Sequence, residues 1–258
     1  MPFATNDLVR LYWKLEGRNG APPLVLLNSV GTDMSMWDRA MPYLLDHFLV
    51  LRIDTRGHGA SDAPSNDYDL TLLANDIMCV MDAAGMGKAT IAGVSLGGMI
   101  AMQMALIAPD RISGLALICT TATSYRDMWA DRIVKVRAEG TASIAETVMG
   151  RFLDASFAAD NPHYADTLRR GLINMDPAGY AGCGAAIRDM ALLDELGNID
   201  APTLVVVGTR DASTPLEGNG SLILAAIPGA QLAEVPGAHI SPIEAPEEVA
   251  QTLITNFA

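Results

Sequence analysis

Residues 93–98 read Gly-Val-Ser-Leu-Gly-Gly, and the runs on either side of this stretch decide how the chain folds around it. Before it lies the apolar run Ala89–Val94, typical of a buried strand; after it Gly98–Ala108, small and apolar throughout, predicts a buried helix. Glycines around Ser95 allow a sharp turn, because side chains in their place would collide with the neighbouring strand and helix. The pattern G-x-S-x-G at such a turn predicts that the Ser95 hydroxyl is raised above a sheet as a nucleophile. The alternative interpretation is a glycine-rich turn without chemistry.

Other short apolar runs repeat the pattern of the strand before Ser95. They are nearly continuous and do not alternate, which is typical of strands buried on both faces of a parallel sheet. The runs are Leu24–Asn28, Val50–Asp54, Gly114–Thr120 and Thr203–Thr209, with a more mixed edge strand at Leu8–Glu16 and a last strand at Ala230–Val235. Stretches with helical spacing, such as Leu72–Ala84 and Pro246–Phe257, stand between or after them. This order predicts an α/β layered fold in which residues 1–258 form a single domain.

One long segment breaks this alternation. From Ser124 to about Leu196 the sequence shows helical patterns and no convincing strand. We therefore expect residues 122–196 to form a helical cap that is inserted between two strands of the sheet. The alternative is a pair of ordinary crossover helices, but a crossover rarely needs roughly seventy residues.

A serine hydroxyl is a weak nucleophile, so it needs a base that is itself oriented by a third group. Of the four histidines, only His163 and His239 come after Ser95, and only His239 also follows a predicted strand. In chains with this elbow, the α/β-hydrolases, the order is serine, acid, histidine, and sites form where parallel strands end. We expect His239 to be the base, and His58, which follows an earlier strand, to be structural.

The acid should lie between the serine and the histidine at another strand end. Asp211 directly follows the predicted strand Thr203–Thr209 and precedes His239 by 28 residues, which leaves room for one helix and one strand. We expect Asp211 to fix the tautomer of the imidazole and to stabilise the imidazolium. Its alternative role is a turn residue or a helix cap, although Thr214 is also a candidate for that cap. Asp194, in the helical segment, is the alternative acid.

Attack on a carbonyl creates an oxyanion that needs two hydrogen-bond donors. One is expected to be the backbone N–H of Leu96, directly after the nucleophile. The second is expected from the loop at residues 28–32, where the N–H of Val30 is the candidate. The alternative for this loop is an ordinary strand-to-helix turn.

Composition excludes several classes of function. The chain has 30 acidic and 17 basic residues and a formal net charge of -13, which disfavours nucleic acid and anionic membranes as partners. Charged residues interrupt the N-terminal stretch, so we expect no secretory signal, and no apolar run approaches the roughly 18 residues of a membrane helix. Three distant cysteines without CxxC spacing predict neither a disulfide framework nor a metal site. These features favour a cytoplasmic protein without a metal, and they leave its oligomeric state open.

The sequence resembles a known family, the bacterial 3-oxoadipate enol-lactonases. The segments that carry the resemblance are LLNSVGTDMSMWD (26–38), VLRIDTRGHGASDAP (50–64), GVSLGGMIAM (93–102), GTRD (208–211) and GAHISPIEAPEE (237–248). It covers almost the whole chain, including a Trp/Arg/Lys pattern in the segment predicted to be a cap. Many related esterases have His-Gly where this chain has Asn28-Ser29. The resemblance implies an α/β-hydrolase fold with a mostly parallel eight-stranded sheet, flanking helices and an inserted helical cap.

The resemblance also implies a reaction without metal or organic cofactor. Ser95 would open 3-oxoadipate enol-lactone, in the β-ketoadipate pathway of aromatic-compound catabolism. The free carboxylate of that substrate implies a cationic partner, and Trp129 and Arg132, which share a helix face, are the candidate substrate-binding residues of the cap. The alternative is that Arg132 lies on a solvated face of the cap and that Trp129 only packs within it. Alternative functions are a carboxylesterase or perhydrolase for another small ester, and a ligand-binding receptor that keeps the pocket.

Overall fold

The computed structural model describes residues 2–258, which contain one eight-stranded sheet in the order β1-β2-β4-β3-β5-β6-β7-β8. The strands are β1 (Phe3–Asn6), β2 (Val9–Gly17), β3 (Pro23–Leu27), β4 (Leu49–Ile53), β5 (Ala89–Val94), β6 (Ile112–Ile118), β7 (Thr203–Gly208) and β8 (Gln231–Val235). Strand β2 pairs antiparallel with β1 and β4, and every other pairing is parallel. The predicted fold class, a mostly parallel eight-stranded α/β-hydrolase sheet with flanking helices, is confirmed.

Eleven α-helices within residues 2–258 flank or cover the sheet. They are α1 (Met41–Leu44), α2 (Leu70–Ala83), α3 (Leu96–Ile107), α4 (Arg126–Glu139), α5 (Ala145–Phe152), α6 (Ala155–Asp160), α7 (Pro162–Asn174), α8 (Pro177–Asp189), α9 (Ser221–Ala226), α10 (Ser241–Glu244) and α11 (Pro246–Phe257). Shorter turns of 3-10 helix lie at Met34–Trp37, Pro109–Arg111, Thr141–Ile144 and Leu193–Asn198, and a kinked turn lies at Leu216–Gly220. Each helix in this part of the chain is too short or too polar to span a bilayer.

The central strands are buried because they are apolar on both faces. All six residues of β5 and all six of β7 are buried, as continuous runs of mostly apolar residues predict. Register then aligns the strand ends, with Leu27 beside Gly93 and Val94 beside Ile118. The carboxyl ends of β3, β5, β6 and β7 therefore share one edge of the sheet, where side chains from distant parts of the sequence can meet.

Three elements differ from the sequence expectation. The strand predicted at Leu8–Glu16 as an edge strand is β2, which is paired on both sides, with β1 at the edge. Strand β1 is absent from the individual predictions, because it is a four-residue edge strand in which only Ala4 is buried, so its apolar pattern is weak. Helix α2 begins at Leu70, two residues before the predicted start. The Asp69 carboxylate accepts a hydrogen bond from Leu72 N–H at 2.7 Å and caps the helix there.

Five helices, α4–α8, lie between β6 and β7, where the sequence predicts the cap, and we call them the cap helices. Helix α8 packs closely on the loop that follows β4, because small residues line the contact. A Cβ added at Gly57 would lie 2.5 Å from the Gly179 Cα, and Tyr68 N–H donates to the Gly182 carbonyl at 3.1 Å. This close approach fixes α8 to the core of the molecule.

Candidate active site

Ser95 stands alone between the end of β5 and the start of α3 in a strained conformation. Its φ of 56° and ψ of −114° lie in a region that L-residues rarely adopt, at a cost of order 1–3 kcal/mol. The surrounding backbone holds it there: Ser95 N–H donates to the Ile118 carbonyl at 2.9 Å, and the Thr120 hydroxyl donates to the Ser95 carbonyl at 2.7 Å. The turn thereby projects the Ser95 side chain from the sheet edge toward the cap helices.

The glycines of this turn are required by space. A Cβ at Gly93 would lie 2.5 Å from the Gly98 nitrogen and closer still to the Gly97 carbonyl group. A Cβ at Gly97 would lie 2.8 Å from the Leu27 Cβ. Strand and helix can therefore cross this closely only when neither position carries a side chain.

His239 and Asp211, predicted from two separate strand ends, form a buried pair. The His239 Nδ1 lies 2.9 Å from the Asp211 Oδ2. Asp211 also accepts hydrogen bonds from Ser213 N–H at 2.7 Å, and from Thr214 through its N–H at 3.1 Å and its hydroxyl at 2.7 Å. Burial by itself would raise the pKa of Asp211, but the attraction of His239 and these donors lower it to about 2. The carboxylate is thus ionised at every pH at which a histidine can act as a base.

The other candidates for these roles lie elsewhere. Thr214 caps no helix; its hydroxyl donates to Asp211 and lies 3.4 Å from the His239 Nδ1, so it belongs to the same network. Asp194 is exposed in the 3-10 turn Leu193–Asn198 and does not line the cavity that contains Ser95.

Ser95 and His239 line one cavity of about 120 Å³ between the sheet edge and the cap helices. Within residues 2–258 no hydrogen bond joins the Ser95 hydroxyl to His239. Such contacts are often loose before substrate binds and tighten in the complex. The two side chains thus line the same cavity.

The loop after β3 places Val30 in the wall of this cavity, opposite the start of α3. In the described part of the chain, neither Val30 N–H nor Leu96 N–H donates to a protein acceptor. The Asn28 amide holds the loop: its nitrogen donates to the Ser29 and Thr32 carbonyls at 2.9 and 2.8 Å. Both N–H groups are therefore free of protein acceptors, as the predicted role of oxyanion donor requires.

His58 is hydrogen-bonded to this loop and does not line the cavity. Its Nε2 accepts a hydrogen bond from Gly31 N–H at 3.0 Å, and its Nδ1 lies 3.1 Å from the Arg56 carbonyl. An Nε2 that accepts and an Nδ1 that donates define the neutral Nδ1–H tautomer. The structure thus gives His58 a structural role beside Val30.

Acid should destabilise the protein through His58. Burial lowers the pKa of His58 from 6.5 to about 4, so between these values the unfolded chain binds a proton that the folded chain does not. Stability is unaffected above pH 6.5 and falls as the pH drops to 4, by about 3 kcal/mol. His58→Gln keeps a donor and an acceptor but cannot titrate. Its free energy of unfolding in urea, measured at pH 7 and pH 4, should lose that part of the acid dependence. Parallel pH curves for the two proteins would contradict this prediction.

The cap side of the cavity carries the two residues predicted to bind a carboxylate. The Arg132 guanidinium lies over the Trp129 ring, 4.8 Å from its centroid, and Trp129 packs on Tyr180 with centroids 6.4 Å apart. Arg132 and a second arginine, Arg151, line the cavity, and neither forms an ion pair within residues 2–258. No aspartate or glutamate of the described residues lines it. In a chain with a net charge of -13, this wall is locally cationic.

Several lining residues were missed at the level of sequence. The Phe152 ring stacks on His239 with centroids 6.1 Å apart and planes inclined by 21°. Arg151, Phe152 and Tyr180 all lie in the predicted cap. Its helical periodicity indicates helices but does not tell which of their faces turns toward Ser95. The Asp-x-x-Thr spacing of Asp211 and Thr214 was the one available signal for the hydroxyl beside the acid.

A serine elbow that faces a buried His–Asp pair at the carboxyl edge of such a sheet is the arrangement of an α/β-hydrolase. The family model described as alpha/beta hydrolase fold matches residues 22–246, and the chain belongs to this family.

Three similar proteins show which enzymes of the α/β-hydrolase family this chain resembles. The chain is 31% identical to 3-oxoadipate enol-lactonase 2 of Acinetobacter baylyi, over 93% of this chain and 90% of the relative. The crystal structure of the enol-lactonase from Burkholderia xenovorans superimposes with a TM-score of 0.95 and 35% identity, covering 98% of both chains. A hydrolase from Pseudomonas aeruginosa gives a TM-score of 0.93 and 37% identity, covering 98% of this chain and 97% of the other. The predicted resemblance is confirmed: the chain is a carboxylic-ester hydrolase related to 3-oxoadipate enol-lactonases.

Proposed function

We propose that this enzyme hydrolyses 3-oxoadipate enol-lactone to 3-oxoadipate, a step in the catabolism of aromatic compounds. The observation that carries the proposal is the unpaired Arg132, stacked on Trp129, in the wall of the cavity that contains Ser95. A cation that is shielded on one side by an aromatic ring and lacks a carboxylate partner favours an anionic substrate. The enol-lactone carries such a charge, together with an ester bond for the serine.

We propose that acylation follows the template of serine triads. His239 removes the Ser95 proton as Oγ attacks the lactone carbonyl, and Asp211 holds the imidazole in the required tautomer. The negative charge moves to the carbonyl oxygen, where the N–H groups of Val30 and Leu96 receive it. The ring C–O bond then breaks, His239 protonates the departing enol oxygen, and the enol becomes a ketone.

Deacylation uses the same groups in reverse order. A water molecule gives a proton to His239 and attacks the acyl carbon, and the same backbone donors stabilise the second oxyanion. Collapse of this intermediate returns the proton to the Ser95 Oγ and releases a second carboxylate. We propose that the predicted cap, residues 122–196, excludes bulk water from these steps and presents Arg132 to the substrate carboxylate.

A general carboxylesterase is the second candidate. Apolar side chains also line the cavity, among them Met99, Met128, Val148 and Ile187, and these would accept the acyl chain of a neutral ester. The two functions differ in whether the cation or the apolar wall dominates binding.

Comparison of a charged lactone with a neutral ester tests the proposal. For wild type we expect kcat/KM on 3-oxoadipate enol-lactone to exceed that on p-nitrophenyl acetate. Arg132→Ala should raise KM for the lactone by about 10- to 100-fold, because a charge-assisted hydrogen bond is lost, and leave KM for the neutral ester nearly unchanged.

Lys135→Ala is the matched control, since Lys135 is an exposed cation on the same helix and does not line the cavity. It should behave as wild type on both substrates. Equal increases in KM for lactone and ester in Arg132→Ala would remove the carboxylate site. A lactone kcat/KM no better than that of the ester would favour the general carboxylesterase.

A further inference from the structure

We infer that Glu244 is a positioning residue that fastens the cap helices to the histidine loop, which we define as residues 237–240. Together with the backbone hydrogen bond from Ile240 to Phe152, this carboxylate would hold the wall of the pocket at a fixed distance from the base. The inference rests on the proposed catalytic role of His239, and it is independent of which ester is the natural substrate.

The Glu244 side chain lies between the two segments and is only 1% exposed. Its Oε1 accepts a hydrogen bond from Asp154 N–H at 2.6 Å, at the junction of α5 and α6. Its Oε2 accepts one from Ala238 N–H at 3.0 Å, directly before His239. One carboxylate thus binds a backbone donor of the cap and a backbone donor of the histidine loop.

Arg210 closes the same cluster from the side of the acid. Its Nε lies 3.2 Å from the Asp154 Oδ2, and its Nη2 lies 3.5 Å from the Glu244 Oε2. The Arg210 N–H donates to the Gly237 carbonyl at 2.9 Å. Because Arg210 directly precedes Asp211, the cluster contacts the chain next to both members of the His–Asp pair.

A second contact between the same segments involves the ring that stacks on the base. Ile240 N–H, directly after His239, donates to the Phe152 carbonyl at 3.0 Å, and the Phe152 ring packs on the imidazole. The junction that Glu244 holds therefore begins only two residues from the side chain that limits movement of His239. A shift of Asp154 away from Ala238 would carry Phe152 with it.

The remaining ion pairs between cap and core act on other helices. Arg137 of α4 and Arg188 of α8 both pair with Asp67. These groups are partly exposed, and exposed ion pairs contribute little. They hold the far side of the cap, whereas Glu244, Arg210 and the Ile240–Phe152 hydrogen bond hold the α5–α6 junction over the histidine loop.

A carboxylate suits this place for a reason of hydrogen-bond capacity. Both of its oxygens accept, and each faces one backbone N–H. A glutamine would place its NH2 group against one of these donors, which leaves that N–H buried without an acceptor. Glu244→Gln should therefore release one of the two segments while it preserves the volume of the side chain.

The first test compares Glu244→Gln with a control, Glu247→Gln. Glu247 is an exposed residue on the next helix and contacts neither segment. With p-nitrophenyl acetate we expect Glu244→Gln to lower kcat by about 10- to 100-fold, the effect of a base displaced by about 1 Å. KM should change by less than about threefold, since the cap residues that bind substrate keep their helices. Glu247→Gln should match wild type.

The second test removes only the hydrogen bond from the cap. Asp154 has φ −61° and ψ 138°, and the preceding Leu153 is extended, so proline fits at position 154. Asp154→Pro deletes both the Asp154 carboxylate and the backbone N–H that donates to Glu244. Asp154→Ala deletes only the carboxylate and keeps the N–H. We expect kcat of Asp154→Pro to lie about tenfold below that of Asp154→Ala, and no further loss when Asp154→Pro is combined with Glu244→Gln.

The outcomes separate this inference from the proposed function. Wild-type kcat in folded Glu244→Gln, or equal kcat in Asp154→Pro and Asp154→Ala, would overturn the positioning role. Either result is compatible with a complete loss of activity in Ser95→Ala. That combination would overturn the positioning role of Glu244 and still support the proposed triad. If Glu244→Gln fails to fold, the two Asp154 variants decide the matter.

Discussion

Replacement of Ser95 by alanine should abolish ester hydrolysis. We expect kcat/KM for p-nitrophenyl acetate to fall by about 10⁴- to 10⁶-fold, because no acyl-enzyme can form and only the oxyanion donors and the binding wall remain. The fold should be unaffected. Alanine at position 95 takes the same strained φ of 56° under the same backbone hydrogen bonds, which involve the Ser95 main chain and not its hydroxyl. Initial rates and thermal unfolding, measured on one preparation, check both statements.

The matched control is Ser65→Ala, which removes an exposed serine remote from the cavity and should retain wild-type activity. A fluorophosphonate provides a second readout: mass spectrometry should find one adduct in wild type and in Ser65→Ala, on the peptide that contains residue 95, and none in Ser95→Ala. Retention of more than about one per cent of the wild-type rate in Ser95→Ala would show that another group is the nucleophile.

One added methyl group at Gly93 should cost a substantial part of the stability of the protein. The new Cβ would lie 2.5 Å from the Gly98 nitrogen and closer to the Gly97 carbonyl group. All of these are backbone atoms of the strand–helix crossing, so no side-chain rotation relieves the clash. We expect Gly93→Ala to lower the free energy of unfolding by about 3 kcal/mol or more, from the 5–15 kcal/mol of an ordinary domain. Urea unfolding followed by circular dichroism measures the loss.

Gly150→Ala is the opposite case and serves as control. Gly150 lies in helix α5, is exposed, and has no atom within 4 Å of the Cβ position. The same substitution there should raise stability by about 0.5–1 kcal/mol, since alanine loses less backbone freedom on helix formation than glycine. A Gly93→Ala protein with wild-type stability and activity would mean that the elbow tolerates a side chain, which contradicts the steric account of the turn.

These two variants also mark what short stretches of sequence encode. The elbow was predicted because its cause is local: the two glycines, the strand before them and the helix after them lie within about twenty residues. The same holds for β5 and β7, where continuous apolar residues predict burial on both faces. The start of α2 was placed two residues late, although its cause, the carboxylate of Asp69, was local too and could have been read as a cap.

The triad residues needed one further kind of information. Asp211 and His239 were chosen from the order of elements along the chain and from the rule that parallel strands end at one edge. That reasoning places them in the same region of the molecule. It does not give the 2.9 Å separation of Nδ1 and Oδ2, nor the hydroxyl of Thr214 beside them. Their catalytic roles stay predictions until the variants are made.

The residues that surround His239 could not be predicted from the sequence. Phe152 and Glu244 are 92 residues apart, yet both contact the histidine loop. Helical periodicity in the cap indicates that helices form, but not how they cross the sheet or which face they turn toward Ser95. His58 shows the same limit. Chain order made it structural, but only the structure shows that its Nε2 accepts the Gly31 N–H and so supports the loop of Val30.

The sequence by itself therefore determined the class of fold, the elbow, the family and the identity of the candidate nucleophile, base and acid. Each of these depends on steric limits within a few residues or on the order of elements along the chain. Only the tertiary structure decided what surrounds the base and which cap side chains line the pocket. Those contacts join residues far apart in sequence, and they depend on how the cap helices pack across the sheet edge, which no short-range pattern specifies.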